Sequence, residues 1–337
     1  MNYKEVLNQL PKDYKKQATR DLTVFTTSIF GETYVISFKE LFDIEFPSIL
    51  WVIRNRNMMT FYRSDKDHEL FREIIGKKCI NKEFSIYLVK ELKNYTDWFN
   101  KFLVECNNLD LFILKREMFI NNYRKFFAFH QAVCWGSDYL LEHHSEMHEI
   151  IKALGDVYAY NERVVPDVEK YLMDLGIDHF HYYETDYKGD KTFRDEGLFF
   201  SYGKKEEHFF GDELNKVEGY IVSLDKIDYG LKELKGTTTC LGKVRGVVKN
   251  IKDVNQLHLA KPEDILVTGM TRPQFNHILK NCRAIVCNEG NILSHAAILT
   301  REFNIPCIVG TKNATEIFQN GDFVEVDADN GIVRKLN

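Results

Sequence analysis

The sequence lacks the features of membrane proteins, of secreted disulfide-rich proteins and of small zinc-binding domains. Its seven cysteines include no CxxC pair, so neither a disulfide framework nor a zinc knot is expected. No apolar run is long enough to span a membrane, and the first residues have no apolar signal-peptide core. These absences predict a cytoplasmic protein with reduced thiols and no membrane partner.

Extended blocks of one charge sign are also missing. The 45 basic and 50 acidic side chains leave a net charge of −5, spread along the chain. A protein that follows a nucleic-acid backbone needs clustered Lys and Arg, so no nucleic-acid partner is predicted. No P-loop or dinucleotide-binding glycine motif occurs either, so we expect this chain not to bind nucleotide itself.

The composition is that of an ordinary globular protein, and the chain is longer than one average domain. The chain has 337 residues, of which 44% are hydrophobic and 28% are charged. We predict an α+β multidomain protein with two domains, residues 1–235 and 236–337. The initiating Met1 favours a natural gene product over an excised part of a longer enzyme.

The first predicted domain combines a small sheet with a helical bundle. Three runs rich in branched and aromatic residues lie within residues 21–63 and predict strands: LTVFTTSIF, TYVISF and ILWVIRNRNMMTFY. From about His68 to Gly176, apolar residues recur at helical spacing, which predicts long helices with Gly176 as the last stop. The polar, glycine-punctuated residues 179–235 are predicted to be a connecting segment with short elements.

The second predicted domain alternates short strands with short helices. Its strand candidates are KVRGVV, DILVTG, RAIVCN, CIVG, FVEVD and IVRKL, and its helix candidates are RPQFNHILKN, SHAAILTREF and NATEIF. Between the last two strands, Asp329-Asn330-Gly331 predicts a tight hairpin turn. This pattern indicates a compact α/β domain of mixed sheet and helix.

One segment of this domain has the features of a chemical site. A strand is followed by a turn at Gly290, a possible N-cap at Ser294, and His295 in the first helical turn. A helix N-terminus offers unpaired N–H groups and the positive end of the helix dipole, which keep an imidazole neutral and attract a phosphoryl group. These are the requirements of a phosphohistidine. The alternative is a structural or solvent-facing histidine.

Residues 236–337 resemble the mobile phosphohistidine domain of the PEP-utilising enzymes. The motifs that carry the resemblance are KGTTTCLGKVRGVV, EDILVTGMTRP, AIVCNEGNILSHAAILTREFNIPCIVG and GDFVEVDADNGIVR. This swivelling β/β/α module is shared by pyruvate phosphate dikinase, PEP synthase, enzyme I of the sugar phosphotransferase system and rifampin phosphotransferase. The apolar Leu293 before Ser294-His295 resembles the rifampin phosphotransferase and PEP synthase branch.

The resemblance implies roles for individual residues. His295 matches the phosphorylated histidine, and Ser294 and Gly290 match the cap and turn that position its ring. Thr271 and Arg272 lie in a loop that the resemblance places near the phosphoryl group. A cycle is implied in which the domain swings about a hinge near residues 230–240.

Three further positions qualify the match. Arg301 matches the arginine of the family's Ala-Arg motif, although it could equally be a structural ion-pair partner of a neighbouring carboxylate. Asn291 replaces a second glycine, and because Asn tolerates left-handed backbone geometry the turn can survive. Cys240 stands where the family commonly has serine, and we interpret it as a small buried side chain.

The resemblance also implies partners. In the resembled enzymes a separate ATP-grasp domain phosphorylates the histidine, and nothing before residue 236 has its glycine-rich pattern. We therefore expect an ATP-grasp protein in trans that holds Mg and ATP, a small-molecule acceptor, and no cofactor on this chain. The alternatives are a carrier charged from PEP by a barrel protein, and a non-catalytic scaffold or regulator that keeps the swivelling fold.

Candidate acceptor-binding residues come from two places in the first domain. His179 and His181 would project from one side of a strand, beside Glu184, although a loop ion-pair cluster explains them as well. Arg124 and His130 lie on an aromatic and cationic helix face that could line a pocket between helices, or could be core.

A second histidine group has the spacing of metal ligands. His144 and His148 are predicted to lie one turn apart on a helix, next to His143. The interleaved charges favour a solvated helix face, so no metal site is predicted.

Overall fold

The chain folds into two compact units, residues 1–225 and 226–337. The computed structural model describes residues 2–54, 58–177, 196–202, 205–224, 227–252, 254–292 and 294–336. Among these residues, no helix is long and apolar enough to cross a membrane. Both units mix helices with sheet, in agreement with the predicted α+β class.

The described part of the first unit is organised around one antiparallel sheet. Its strands are β1 (Tyr14–Asp21), β2 (Ser48–Arg54), β3 (Met58–Ser64), β4 (Gly197–Tyr202) and β5 (Lys205–Phe209), in the order β1-β3-β2-β4-β5. Both faces of the sheet are covered. On β2, Leu50 and Val52 belong to one apolar core while Trp51 and Ile53 belong to another, as expected from the alternation of side chains along a strand.

Helices cover both faces of this sheet. The smaller core includes residues of α1 (Tyr3–Gln9) and α9 (Gly211–Leu224). The larger core includes residues of the other helices, which are α2 (Val24–Glu32), α3 (Phe38–Phe42), α4 (Asp65–Cys79), α5 (Lys82–Glu105), α6 (Leu109–His143), α7 (His148–Asn161) and α8 (Val164–Leu175). Ser64, Asn81 and Asn108 cap the N-termini of α4, α5 and α6, and Gly176 ends α8 with φ of +71°. The predicted helical bundle and its stop at Gly176 are confirmed.

Two of the three predicted N-terminal strands are wrong. The run from Val24 to Glu32 is an α-helix, Thr33–Ser37 is a π-helical turn, and Phe38–Phe42 is helical again. Every residue from Val24 to Gly31 is buried, so the helix has no polar face and its sequence shows no helical period. A short apolar run of this kind cannot be distinguished from a buried strand by composition.

The predicted connecting segment contains short elements, as expected, but in its described part they belong to the sheet and core of the first unit. β4 and β5 add two strands to the sheet of the first unit, and α9 packs against it. Tertiary pairing decides this outcome, because β4 aligns Phe199 and Leu198 with Trp51 and Val52 of β2. Such pairing across distant residues leaves no local pattern in the sequence.

The second unit contains an eight-stranded sheet with a parallel centre. Its strands are β6 (Glu233–Lys235), β7 (Thr237–Cys240), β8 (Lys243–Ile251), β9 (Ile265–Thr268), β10 (Ala284–Cys287), β11 (Cys307–Val309), β12 (Phe323–Asp327) and β13 (Ile332–Lys335). The order is β6-β13-β12-β8-β9-β10-β11-β7, and β8, β9, β10 and β11 run parallel. All six predicted strand segments of this region are confirmed.

Short helices pack on both faces of the parallel strands. One core includes α12 (Ala314–Ile317), and the other includes α10 (Asn276–Leu279) and α11 (His295–Phe303). The three predicted helical segments are therefore confirmed, although the first begins with a 3-10 turn at Pro273–Phe275.

The predicted boundary after residue 235 falls inside the second unit. β6 pairs with β13, and β7 pairs with β11, so both strands belong to the same sheet. Gly236 alone separates them in sequence, yet they lie at the two ends of the strand order. The predicted hinge near residues 230–240 coincides with these paired strands.

Candidate functional site

The candidate site lies where the parallel strands β9, β10 and β11 end. Backbone hydrogen bonds join the loops that follow them: Glu289 N–H donates to Gly269 O at 2.9 Å, and Lys312 N–H donates to Asn288 O at 2.9 Å. Ligands of parallel sheets bind beyond the carboxyl ends of the strands. The joined loops therefore form a platform at the edge where a site is expected.

Gly290 makes the turn that leads from β10 towards α11. Its φ is +111°, a conformation that strains any residue with a Cβ. A Cβ at this position would also lie 3.0 Å from Ser294 Oγ and 3.4 Å from Val309 Cβ. Both the backbone and the packing therefore require glycine.

Ser294 caps the N-terminus of α11. Its Oγ accepts from Ala297 N–H at 3.4 Å and donates to Asn291 O at 2.7 Å. The capping oxygen is thereby tied to the preceding turn as well as to the helix. Asn291 does not have positive φ, so the left-handed geometry considered for it is not used.

His295 is the first residue of α11 and is half-buried. Its Nδ1 lies 2.9 Å from Thr271 Oγ1, and in the described part of the chain Nε2 has no hydrogen-bond partner. The N–H groups of His295 and Ala296, in the first turn of α11, have no acceptor among the described residues either. Burial lowers the pKa of His295 below its usual 6.5, which favours the neutral ring.

Thr271 and Arg272 follow β9, as the sequence order requires. Thr271 is 3% exposed, and its backbone N–H lies close to the Cys287 thiol at the end of β10. Arg272 is half-buried, and its carbonyl accepts from Phe275 N–H at 2.8 Å. The structure thus brings Thr271 against the His295 ring and Arg272 directly after Thr271.

Arg301 reaches back from α11 to the preceding loop. Its Nη2 donates to Ile292 O at 2.8 Å, and among the described residues no carboxylate pairs with it. The ion-pair alternative is therefore not found there. Burial raises the pKa of the Cys240 thiol and the Arg301 guanidinium opposes this rise, so Cys240 stays protonated.

Cys287 and Thr311 also contribute to this platform, and neither was predicted from the sequence. Thr311 Oγ1 donates to Cys287 O at 2.8 Å, while the Cys287 thiol lies close to Thr271 N–H. Burial raises the pKa of Cys287 well above its usual value, so it is an inert packing group. The only signal was its place at the end of a strand.

Of the acceptor-site candidates, Arg124 and His130 lie within the described residues. His179, His181 and Glu184 lie outside them. The mostly buried Arg124 pairs with Glu32 at 3.3 Å and Glu40 at 3.5 Å.

His130 is held within the bundle. Its Nδ1 lies 2.9 Å from Asn161 Oδ1, and its ring stacks on Tyr158 with centroids 4.9 Å apart. These contacts are those of a packed helix interface.

The histidines near the end of α6 do not form a metal site. His143 ends α6, His144 caps it and His148 begins α7, so the predicted single helix is interrupted. His144 Nδ1 lies 3.3 Å from Glu146. No group of His, Cys, Asp and Glu in the described part of the chain has the arrangement of a metal site.

Comparison with known families confirms the resemblance in the second unit. Residues 260–331 match the family model described as PEP-utilising enzyme, mobile domain. The chain is 41% identical over 96 residues to the uncharacterised phosphotransferase YvkC of Bacillus subtilis, a match that covers 28% of this chain and 12% of that protein. It is 45% identical over 120 residues to the phosphoenolpyruvate synthase of Pyrococcus furiosus, which covers 36% of this chain and 15% of that enzyme.

These matches are confined to one part of much longer proteins. The matched region amounts to 12% and 15% of the two relatives. A solution structure of an Enzyme I protein aligns with 76% of this chain and 80% of its own at 14% identity, with a TM-score of 0.22. A score this low gives no support for a shared overall fold.

Proposed function

We propose that this chain is a phosphotransferase component in which His295 carries a phosphoryl group. The observation that carries the proposal is the half-buried imidazole at the start of α11, with Nδ1 held by Thr271 and Nε2 unbonded among the described residues. The match to the mobile domain of PEP-utilising enzymes supports phosphoryl transfer as the chemistry.

The hydrogen bond to Thr271 determines which nitrogen reacts. If Nδ1 carries the proton and donates to Thr271 Oγ1, Nε2 has a free lone pair and can attack phosphorus. The lowered pKa of His295 keeps this neutral form available near neutral pH. Attack forms the Nε2–P bond and breaks the P–O bond to the donor, whose oxygen leaves with the electron pair.

The first turn of α11 stabilises the transferred group. The N–H groups of His295 and Ala296 are the donors of this turn that remain for phosphoryl oxygens, and the helix dipole adds a positive partial charge. Phosphoryl transfer depends mainly on positioning and on electrostatic stabilisation of the equatorial oxygens. Arg272, next to Thr271, is the side chain that we assign to this charge.

In the second half-reaction an acceptor atom attacks the same phosphorus. The Nε2–P bond breaks, and its electron pair returns to the imidazole, which regenerates neutral His295. The donor that we propose is ATP, bound with Mg on a separate ATP-grasp protein, and the acceptor is a small molecule. The names of the matched relatives, a phosphotransferase and a phosphoenolpyruvate synthase, support this class of reaction.

The test is the transfer of labelled phosphate from ATP to the purified chain. With a candidate ATP-grasp protein present, we expect an acid-labile label on the wild type, none on His295→Ala, and a normal level on His277→Ala. His277 is an exposed histidine of α10 in the same unit, so it is a matched control.

The outcomes separate the alternatives. Label on His295→Ala at the wild-type level would remove His295 from the mechanism. Label from PEP in place of ATP would identify PEP as the phosphoryl donor and a barrel protein as the partner that charges His295. A chain that is never labelled and gives no multiple-turnover product would be a scaffold.

A further inference from the structure

The first unit contains a buried arginine that pairs with no carboxylate among the described residues. Arg63 lies on β3 and is 3% exposed. Its Nε and Nη1 have no hydrogen-bond partner, and no carboxylate of the described residues lies within ion-pair distance of its guanidinium. Arginine is almost never fully buried unless it is paired, because a lone buried charge is costly.

Two carboxylates, Asp65 and Asp67, act on Arg63 through their charge, but neither lies at ion-pair distance from it. Asp65 pairs with Lys15 Nζ at 3.1 Å and accepts from Gln17 Nε2 at 3.1 Å. Lys15 lies directly opposite Arg63 in the β1–β3 register. Stabilisation of the positive charge of Arg63 therefore depends on its immediate surroundings.

Those surroundings are aromatic rings. The guanidinium carbon lies 5.6 Å from the ring centre of Tyr34, 5.5 Å from that of Phe61 and 5.4 Å from that of Trp135. Contacts of this kind stabilise the cation through its faces. The Tyr34 hydroxyl also interacts with the guanidinium, but Nε and Nη1 remain without an acceptor among the described residues.

A second donor without a partner belongs to the same cluster. Trp51 Nε1 is buried and unbonded, and the Trp51 ring lies 5.3 Å from Phe61 and 5.8 Å from Tyr34. Tyr34 belongs to the π-helical turn Thr33–Ser37, a rare conformation that occurs disproportionately at functional sites. Unsatisfied donors without matching acceptors indicate a ligand that supplies acceptors.

We propose that Arg63, Trp51 and the rings of Tyr34, Phe61 and Trp135 bind a small carboxylate with a flat, unsaturated body. The planar guanidinium matches a carboxylate, and one negative charge neutralises one cation. A dianion such as phosphate would bury an extra uncompensated charge. This site belongs to the first unit and does not depend on phosphoryl transfer by His295.

The experiment is a fluorescence titration of the full chain with sodium benzoate. Trp51 and Trp135 lie in the cluster, so binding should change tryptophan emission in a saturable way. Benzamide is the uncharged isostere and inorganic phosphate is the dianionic probe, and neither should saturate. Saturation by phosphate but not by benzoate would overturn the assignment of a carboxylate.

Variants locate the binding. We expect Arg63→Met to lose benzoate binding and Arg63→Lys to weaken it at least about tenfold, as loss of a charge-assisted hydrogen bond implies. Arg116→Met, which removes a partly buried arginine of α6 that pairs with Glu117 and lies outside the cluster, should bind like the wild type. Unchanged affinity in Arg63→Lys would overturn the proposal even if Arg63→Met fails to fold.

Thermal unfolding separates a ligand site from a structural role. Without benzoate, we expect Arg63→Met to unfold at the wild-type temperature or higher. Benzoate should raise the unfolding temperature of the wild type but not that of Arg63→Met. A lower unfolding temperature for Arg63→Met, together with no response of the wild type to benzoate, would make Arg63 a structural cation and refute the proposal.

Discussion

At the scale of single residues, the proposed chemistry of His295 depends on the hydroxyl of Thr271. The 2.9 Å contact to Nδ1 can have either donor, and only Nδ1–H as donor leaves Nε2 ready to attack. The Thr271 N–H lies close to the Cys287 thiol at the end of β10. Thr271 is therefore placed between the His295 ring at the start of α11 and the end of a neighbouring strand.

Substitution of Thr271 should affect the rate of phosphorylation more than the fold. We expect Thr271→Val to lower the rate of His295 labelling about fivefold, because one hydrogen bond of roughly 1 kcal/mol that orients the ring is lost. Thr271→Ser keeps the hydroxyl and should retain most of the rate. Single-turnover labelling measures both, and equal rates for the valine and serine variants would contradict this role.

At the scale of elements, the turn before α11 positions the site. Gly290 lets the chain leave β10, and Ser294 caps the helix at the residue before His295. The Arg301 side chain then bonds back to Ile292 O from the last turn of the helix. The loop is thus fixed at its start by Gly290, at its end by Ser294, and from α11 by Arg301.

A methyl group at Gly290 should disturb this turn. We expect Gly290→Ala to destabilise the protein by about 1–3 kcal/mol, because its φ of +111° is strained for alanine and its Cβ would contact Ser294 Oγ. Gly269→Ala is the matched control, since that glycine has no positive φ and open space around its Cβ position. Urea unfolding measures both, and equal stability of the two variants would contradict the prediction.

Elements with local signals could be predicted from the sequence, and those fixed by distant contacts could not. Gly290, Ser294 and His295 are recognised because a turn, a cap and a first helical turn are properties of adjacent residues. The helix from Val24 is buried all round and therefore resembles a strand. β4 and β5 were missed because their pairing with β2 joins residues far apart in sequence.

The same distinction applies to the site. The contact between Thr271 and His295 joins the loop after β9 to the helix after β10. Only the family resemblance predicted that these two residues would be near each other. The role of Cys287 beneath Thr271 had no such guide. Nothing in the sequence distinguishes Arg63, because a single arginine in a predicted strand is typical of an exposed surface charge.

At the scale of the whole molecule, the two units have separate apolar cores. Those of the second unit lie on opposite faces of its parallel strands, and all of their residues lie after position 226. A unit with its own cores can fold alone.

The second unit should therefore fold as an independent fragment. We expect residues 226–337 to unfold cooperatively on heating, as followed by circular dichroism. A fragment of residues 241–337, which lacks β6 and β7, should not. Failure of the longer fragment to show a cooperative transition would mean that the first unit is needed for its stability.

The single residue between β6 and β7 has a consequence for the behaviour of this sheet in a crowded solution. The outermost strands β6 and β7, which Gly236 links, are three and four residues long, so neither border of the sheet presents a long row of open backbone groups to another chain. A Cβ at Gly236 would lie 2.5 Å from Val309 O, so the link admits no larger residue without displacement of the backbone. Borders as short as these disfavour strand-by-strand association with a second chain.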